Sequence, residues 1–286
     1  MVLIDAHHHF WDPARRSYPW MTDALAPIRR RFGPEDLHPL LERSGVERTI
    51  LVQTVSSEDE TRELLATAAQ HDFIAGVVGW VDLTAPDVAE RIAELRASSG
   101  GATLVGIRHQ VHDEPDPEWL RRADVRRGIR AVGDAGLAYD LLVRTRELPA
   151  ALATVRELPN MRFVIDHIAK PPIASGAIDE WATQLKPLGA LPNVFCKLSG
   201  MVTEADWKKW RVAQLVPYTR RVLEWFGPGR CVFGSDWPVC LVAASYAQVI
   251  DACRTAIGTV SSSERERIFG ANAAELYQLP VPARRA

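Results

Sequence analysis

Residues 1–10 read MVLIDAHHHF, an apolar run that ends in three consecutive histidines. The run predicts a buried β-strand, in which successive side chains point to opposite faces. His7 and His9 should therefore share a face with Asp5, whereas His8 should point away from them. Two imidazoles spaced in this way can converge on one metal ion or one polarised oxygen. An ordinary strand end and an expression tag are the alternatives, and a tag is disfavoured because only three histidines follow an apolar strand.

The composition limits the fold and the partners. The chain has 286 residues, of which 47% are hydrophobic and 24% charged, as in a globular protein with one large α/β domain or two small ones. A net charge of −2 gives no electrostatic reason to expect nucleic acid or an anionic membrane as a partner. No apolar run approaches the roughly 18 residues of a membrane span, and no signal peptide is evident.

The cysteines indicate a reducing compartment. They show no C-x-x-C spacing, and two of them lie inside strand-like apolar runs, where a buried free thiol is expected. We therefore expect a cytoplasmic protein. The four positions are Cys196, Cys231, Cys240 and Cys253.

Seven further apolar runs have the length of buried strands, and each is followed by a helix or a helix-bearing connection. The predicted strands after the first are residues 48–53, 74–81, 104–109, 138–143, 162–167, 193–198 and 231–236. The predicted helices are residues 35–45, 58–71, 86–99, 118–135, 147–157, 176–188, 204–226 with a break near Pro217, and 245–257. A capping box of Ser263 and Glu266 should begin a last helix that ends near Tyr277.

This alternation predicts a single domain, residues 1–286, with the fold of a distorted parallel eight-stranded (β/α)₈ TIM barrel. An open doubly wound sheet is the alternative, but it would usually carry a glycine-rich phosphate turn after the first strand, where this chain has histidines. Residues 11–34 form an unusually long connection, which is expected to be either an active-site loop or a surface segment packed by its own aromatic residues. Residues 280–286 are expected to be a ragged tail.

Polar residues concentrate at the carboxyl ends of the predicted strands, where barrels of this type place their chemistry. A buried strand has no packing reason to end in a histidine, a lysine or an aspartate, since an unsatisfied buried polar group costs about 1–3 kcal/mol. Inward cations would alternatively serve only to neutralise a carboxylate. The strand-end residues are His7, His9, Gln53, Trp80, Arg108, His109, Tyr139, Asp140, His167, Lys197 and Asp236.

Six motifs along nearly the whole chain carry a resemblance to a known family. They are DAHHHFWD at 5–12, GIRHQVHDEP at 106–115, VIDHIAKP at 164–171, CKLSG at 196–200, FGSDWP at 233–238 and IFGANA at 268–273. In this order they resemble the amidohydrolase superfamily, and more narrowly its sugar-lactonase branch, which includes fuconolactonase, rhamnonolactonase and pyrone-dicarboxylate hydrolase. The resemblance implies a distorted (β/α)₈ barrel and hydrolysis at an ester, lactone or amide carbonyl.

The resemblance also implies roles for individual residues. His7 and His9 match the strand-one pair, His167 the strand-six histidine, and Asp236 the strand-eight aspartate that acts as general base. Metal-rich members carry a bridging lysine or glutamate on strand four or five and a strand-five histidine, and this chain has neither. We therefore expect at most one divalent cation such as Zn²⁺, held by His7, His9, His167 and Asp236, and metal-independent polarisation by the same histidines remains the alternative.

The expected reaction is the opening of a small sugar lactone, such as fuconolactone or rhamnonolactone, by water. The catalytic residues would be Asp236, His167 and Lys197, and either Lys197 or Arg108 would hold a substrate oxygen. The flat faces of Trp11, Trp20, Trp80 and Trp237 suit the apolar side of a sugar. A dianion needs several arginines, and the strand ends offer Arg108, with Arg144 just beyond strand five. The loop residues Arg15, Arg16 and Arg29–Arg31 would reverse this argument if they folded over the pocket. The expected substrate-binding residues are Arg108, His109, Gln53, Trp80, Trp11 and Trp237.

Three other functions stay open at this stage. One is a metal-dependent decarboxylase of the same superfamily, one is a lactonase of the pyrone-dicarboxylate type, and one is a barrel that binds a sugar or an acid without catalysis. The expected partner is a small molecule in each case, without nucleic acid or membrane. A homo-oligomer is neither required nor excluded by the sequence.

Overall fold

The computed structural model describes residues 2–280, so the predicted tail lies, except for Pro280, outside the described residues. Eight parallel strands follow one another in sequence order around a barrel. The last strand returns to the first, since His9 N donates to Trp237 O at 2.7 Å and Asp236 N to His7 O at 2.8 Å. The strands are β1 Ile4–His8, β2 Arg48–Val52, β3 Ile74–Gly79, β4 Leu104–His109, β5 Ala138–Leu141, β6 Phe163–Ile165, β7 Val194–Leu198 and β8 Cys231–Phe233.

Helices separate the strands and complete the predicted (β/α)₈ barrel, which is confirmed. They are α1 Pro34–Ser44, α2 Glu58–Ala68, α3 Val88–Ala97, α4 Ala123–Asp134, α5 Leu148–Glu157, α6 Asp179–Gly189, α7 Val212–Phe226, α8 Tyr246–Ala256, α9 Ser262–Glu266 and α10 Asn272–Leu276. No helix among residues 2–280 combines the length and the apolar character needed to cross a membrane.

Several helix boundaries differ from the prediction, and two differences are the clearest. Residues 204–211 are not helical, because the Asp206 carboxylate accepts the backbone N–H groups of Lys208 and Lys209 and so holds a turn. The helix that follows continues through Pro217 without the predicted break. The capping box near the carboxyl terminus consists of Ser261 and Glu264, two residues earlier than predicted.

The first strand departs from the predicted alternation. Its pairing with β2 changes register between Asp5 and His8, so that Ala6 and His7 both point into the barrel. Asp5 points outward, where its carboxylate accepts from Tyr246 Oη of α8 at 3.0 Å. The expected common face of Asp5 with His7 and His9 is therefore wrong. His8 points away from the site as expected, with Nε2 at 2.8 Å from Thr49 Oγ1.

The barrel is closed at the amino ends of its strands. Ala273, Leu276 and Tyr277 of the last helical segment pack with the inward-facing side chains of the strands. Two arginines at strand starts fix this segment, because Arg162 Nε donates to Leu276 O at 2.8 Å and Arg48 Nη1 to Pro280 O at 2.9 Å. Any small molecule must therefore enter at the opposite end, among the loops that follow the strands.

Residues 11–34 fold over that open end. Trp11 and Phe32 pair through backbone hydrogen bonds of 3.1 and 2.9 Å, and Trp11 Nε1 donates to Arg30 O at 2.9 Å. A 3₁₀ turn at Asp23–Ile28 lies against the 3₁₀ turn at Val239–Val242, which follows β8. This segment is packed by its own aromatic residues and also lies across the mouth of the barrel, so its role as an active-site loop stays a prediction.

Candidate active site

A cavity of about 420 Å³ opens at the carboxyl end of the barrel. Its floor comes from the strand ends, and its wall comes from the loops after them and from residues 11–34. The lining residues are His9, Trp20, Leu25, Thr54, Arg108, Gln110, His112, Asp113, Leu142, Arg144, His167, Lys170, Thr203, Glu204, Trp207, Asp236 and Val239.

Three imidazoles surround the Asp236 carboxylate at the floor. Asp236 Oδ1 lies 3.5 Å from His9 Nε2 and 3.9 Å from the Nε2 atoms of both His7 and His167. The two β1 histidines approach each other, with their Nε2 atoms 3.2 Å apart. The structure thus brings together the four residues that the motifs single out from three distant parts of the chain.

The protonation states of these groups follow from their surroundings. Burial lowers the pKa of His7 and of His167 well below 6.5, so both rings are neutral near pH 7. Burial alone would raise the pKa of Asp236, but the neighbouring His167, His9 and Lys170 together outweigh it, and the pKa lies below 3.8. His9 Nδ1 donates to Val52 O at 2.7 Å, so its Nε2 lone pair points toward the cluster when the ring is neutral.

A layer of buried ion pairs lies beneath the histidines. Lys197 Nζ is 2.5 Å from Asp140 Oδ2 and 2.9 Å from Asp166 Oδ1, and all three side chains are fully buried. Arg108 Nη1 lies 3.0 Å from Asp166 Oδ2 and 3.3 Å from His7 Nε2. Lys197 Nζ is also 3.2 Å from His7 Nδ1. The layer therefore holds the His7 ring from both of its nitrogens.

The predicted substrate-binding residues fall into two groups. Arg108 lines the cavity. The others lie outside its wall, because each is engaged by protein groups. His109 accepts from Trp80 Nε1 at 3.0 Å and contacts Glu114, and it lines an adjoining cavity of about 580 Å³. Gln53 is fully buried, with Nε2 donating to the Arg108 carbonyl.

The remaining predicted contacts are packing contacts here. Trp11 is 3% exposed and holds the 11–34 segment, and Trp237 is 1% exposed and packs edge-on against Phe10 and Phe32. Lys197 lies below the cavity rather than in its wall. The loop arginines do not enter the cavity either. Arg16, Arg29, Arg30 and Arg31 pair with acidic residues of nearby surface segments, and Arg15 lines a separate surface cavity.

Several wall residues were not predicted from the sequence. They come from loops, where no strand pattern marks them, and include Leu25, Glu204 and Trp207. Others did carry a signal, since Trp20 was among the tryptophans expected to face a sugar and His112 belongs to the quoted GIRHQVHDEP motif. Lys170 belongs to the quoted VIDHIAKP motif, and Arg144 stands just beyond the fifth strand.

The donor set suits one divalent cation. Zinc binds nitrogen and oxygen at about 2.0–2.2 Å, so tetrahedral ligands lie about 3.3 Å apart, close to the 3.2 Å and 3.5 Å separations around His9 Nε2. His7, His9 and Asp236 therefore form one possible site. A second group, His7, Asp166 and His167, is less suitable because both Asp166 oxygens already pair with Lys197 and Arg108.

Comparisons with known proteins agree with this geometry. The family model described as Amidohydrolase matches residues 4–279. An L-fucono-1,5-lactonase from Burkholderia ambifaria is 42% identical over 287 residues, covering 98% of this chain and 97% of that protein. Another from Burkholderia multivorans is 41% identical over 293 residues, covering 99% and 98%.

A solved structure is similar over the same length. The crystal structure of an amidohydrolase from Burkholderia multivorans with bound zinc superimposes with a TM-score of 0.91 at 40% identity, covering 98% of this chain and all of that chain. That protein binds zinc, and the cluster of His7, His9 and Asp236 is a possible metal site in this one.

The ion-pair layer generates a stability prediction. Lys197→Met should lower the free energy of unfolding by about 3–5 kcal/mol, because it leaves Asp140 buried without a cation and Asp166 with Arg108 alone. Adding Asp140→Asn should restore part of the loss, since one unpaired charge is removed. Urea denaturation measures both, with exposed Lys186→Met as the control. The single variant Asp140→Asn is measured as well. If the double variant loses as much stability as Lys197→Met and Asp140→Asn together, the layer does not act as a unit.

Proposed function

Since the chain belongs to the amidohydrolase family, we propose that it is a hydrolase that opens a small sugar lactone. The observation that carries the proposal is the ionised Asp236 carboxylate at the cavity floor, within 3.5–3.9 Å of three imidazole nitrogens. Relatives with 41–42% identity over nearly the whole chain are L-fucono-1,5-lactonases. An aldonolactone such as fuconolactone is therefore the substrate class we assign.

Asp236 is the proposed general base. Its carboxylate takes a proton as the oxygen of a water molecule attacks the lactone carbonyl carbon. The bond between that carbon and the ring oxygen then breaks, and Asp236 returns the proton to the leaving oxygen. The product is the open hydroxy acid, which ionises and releases one proton per turnover. The lowered pKa keeps the carboxylate ionised, and so able to accept a proton, when the substrate arrives.

Arg108 is the proposed stabiliser of the oxyanion. While neutral, His9 cannot donate from Nε2, because its single N–H is given to Val52 O. The Arg108 guanidinium lines the cavity, is 3% exposed, and lies beside His7 Nε2. A positive charge held in a site of low dielectric stabilises a developing negative oxygen strongly. His167 adds a second donor when Ser199 Oγ, 2.9 Å away, donates to its Nδ1.

A single divalent cation is compatible with the proposal. His7, His9 and Asp236 would hold it, with His167 as the fourth ligand, and when bound it would polarise the carbonyl as a Lewis acid. Lys197 is then a positioning residue, since it lies below the cavity and reaches the reacting groups only through His7 and Asp166.

The charge of the wall favours a neutral ring. Of the three cations that line the cavity, Arg108 pairs with Asp166 and Lys170 with Glu204. Arg144 alone forms no ion pair with another of residues 2–280. Two carboxylates of a dicarboxylate would thus compete for one uncompensated arginine. The wall instead offers Trp20, Leu25, Leu142, Trp207 and Val239 to the apolar side of a ring.

Substrate choice tests the function. The purified protein should open fucono-, galactono- and rhamnonolactone with release of one proton per turnover above the spontaneous rate. Its kcat/KM for the best of them should exceed that for pyrone dicarboxylate by tenfold or more, about 1.4 kcal/mol. If kcat/KM is instead tenfold higher for pyrone dicarboxylate, the pocket is one for a dicarboxylate and not for a neutral sugar lactone. Turnover of an aromatic carboxylate to CO₂ would identify the decarboxylase alternative, and binding without turnover a non-catalytic barrel.

Replacing Asp236 tests the general base. Asp236→Asn is nearly isosteric and should keep the fold while kcat falls by about 10²–10⁴-fold. Because its surroundings lower the pKa of Asp236, protonation of this carboxylate should contribute to the acid loss of kcat/KM only below the pH range of an ordinary aspartate, measured while the protein stays folded by circular dichroism. Asp113→Asn, an exposed carboxylate in the same cavity, is the matched control. An Asn variant that retains most of its activity ends the assignment.

Metal stoichiometry tests the cluster independently of activity. Equilibrium dialysis against zinc followed by elemental analysis should find at most one tightly bound ion per chain. If that ion binds, His9→Ala should abolish tight binding because it removes the central ligand. His38→Ala, at an exposed histidine, should not change it. Two tightly bound ions per chain contradict the single-site assignment.

A further inference from the structure

Four consecutive residues after β6 adopt a left-handed backbone. Their φ angles are 52° for His167, 48° for Ile168, 59° for Ala169 and 47° for Lys170, and none is a glycine. A left-handed conformation is unfavourable for each residue that has a Cβ, because the Cβ approaches the following carbonyl oxygen. Such a run persists only where the surrounding structure determines it, and it is found mainly at functional sites.

Contacts on several sides hold this turn. The buried Trp181 Nε1 donates to Ile168 O at 2.7 Å, and Lys170 N donates to His167 O at 2.8 Å. Gly200 allows the His167 ring to approach, because a Cβ there would lie 2.6 Å from His167 Nδ1. The turn is therefore fixed by packing and by hydrogen bonds rather than by its own preference.

The turn places its first and last side chains in the same cavity. His167 lies at the floor beside Asp236, and Lys170 lies in the wall. Lys170 Nζ is 3.1 Å from Glu204 Oε1, and the two side chains are 18% and 24% exposed. The charge of Lys170 also contributes to lowering the pKa of Asp236 and of His167, so the ammonium lies near the reacting groups.

Building on the proposed lactonase function, we propose that Lys170 and Glu204 form a subsite that recognises vicinal hydroxyl groups on the lactone ring. An ammonium donates and a carboxylate accepts, so adjacent ring hydroxyls can accept from Lys170 and donate to Glu204. The pair is locally neutral. A substrate carboxylate at this place would be attracted by Lys170 and repelled at similar distance by Glu204, whereas a diol satisfies both.

The subsite explains why the strained turn is kept. An ordinary loop could place His167 at the floor, but the tight left-handed turn brings the residue three positions later back to the same cavity. Glu204 comes from the loop after β7, where Thr203 Oγ1 donates to Gly200 O at 2.6 Å and holds a turn. Recognition of the ring is thus built from the loops of two adjacent strands.

The test compares a hydroxylated with an unsubstituted ring. L-Fucono-1,5-lactone carries ring hydroxyls, and δ-valerolactone has the same ester without them. Lys170→Met should lower kcat/KM for fuconolactone by about 10–100-fold, as expected for a lost hydrogen bond to a charged group, and change δ-valerolactone less than threefold. Lys208→Met, at an exposed lysine of the same loop region as Glu204, is the control and should change neither. Equal losses on both substrates would show that Lys170 acts on the reaction centre and overturn the subsite.

Replacing Glu204, the partner of Lys170, gives a second test, in which kcat/KM should change in opposite directions for two substrates. Glu204→Gln keeps the shape but removes the negative charge, so kcat/KM for fuconolactone should fall while that for an aldarolactone, which carries a free carboxylate, should rise.

Binding of L-fucose, a hydroxylated ring without a lactone bond, is measured by saturation-transfer NMR on the native protein and on Lys170→Met. Loss of this binding in the variant supports the subsite even if no lactone is opened, and unchanged binding overturns it. Failure of the native protein to open any lactone overturns the proposed function alone.

Discussion

The ammonium group of Lys197, enclosed by Asp140, Asp166 and His7, is the interaction on which the site depends. It joins β5, β7 and the segment after β6 at one point inside the barrel. Burial raises the pKa of Asp140 to about 6 even beside this cation, whereas Lys197, His7 and Arg108 overcome burial at Asp166 and keep its pKa well below 3.8. Tyr277 Oη donates to Asp140 at 2.8 Å, so even the last helical segment contributes.

The ion-pair layer lies between two parts of the barrel that have different requirements. The strands need an apolar interior for stability, and the mouth needs charged groups for chemistry. Paired charges between these levels allow the transition, because buried charges are tolerated when each has a partner and hydrogen bonds. Below the layer, Ile4, Val52 and Val164 pack together, and above it the cavity begins.

Periodicity and strand-end chemistry explain how much the sequence could predict. Eight apolar runs were sufficient for the barrel, and the polar residues at their ends together with the family resemblance predicted the cluster of His7, His9, His167 and Asp236, because parallel strands necessarily bring their carboxyl ends together. The wall could not be predicted in this way. Trp11, Trp80 and Trp237 stand beside strand ends yet pack against protein, whereas Leu25 and Trp207 reach the cavity from loops with no periodic signal.

The distribution of buried charges explains why Asp236, unlike Asp140 and Asp166, carries a negative charge that no cation of the ion-pair layer balances. Lys197 and Arg108 together balance Asp140 and Asp166, so these four side chains contribute no net charge. Around Asp236 the close groups are imidazoles, and burial keeps those of His7 and His167 neutral. The negative charge of the floor therefore resides on one carboxylate that faces the cavity. Such a carboxylate attracts either a proton from water or a cation, and both follow from the arrangement of imidazole nitrogens around it.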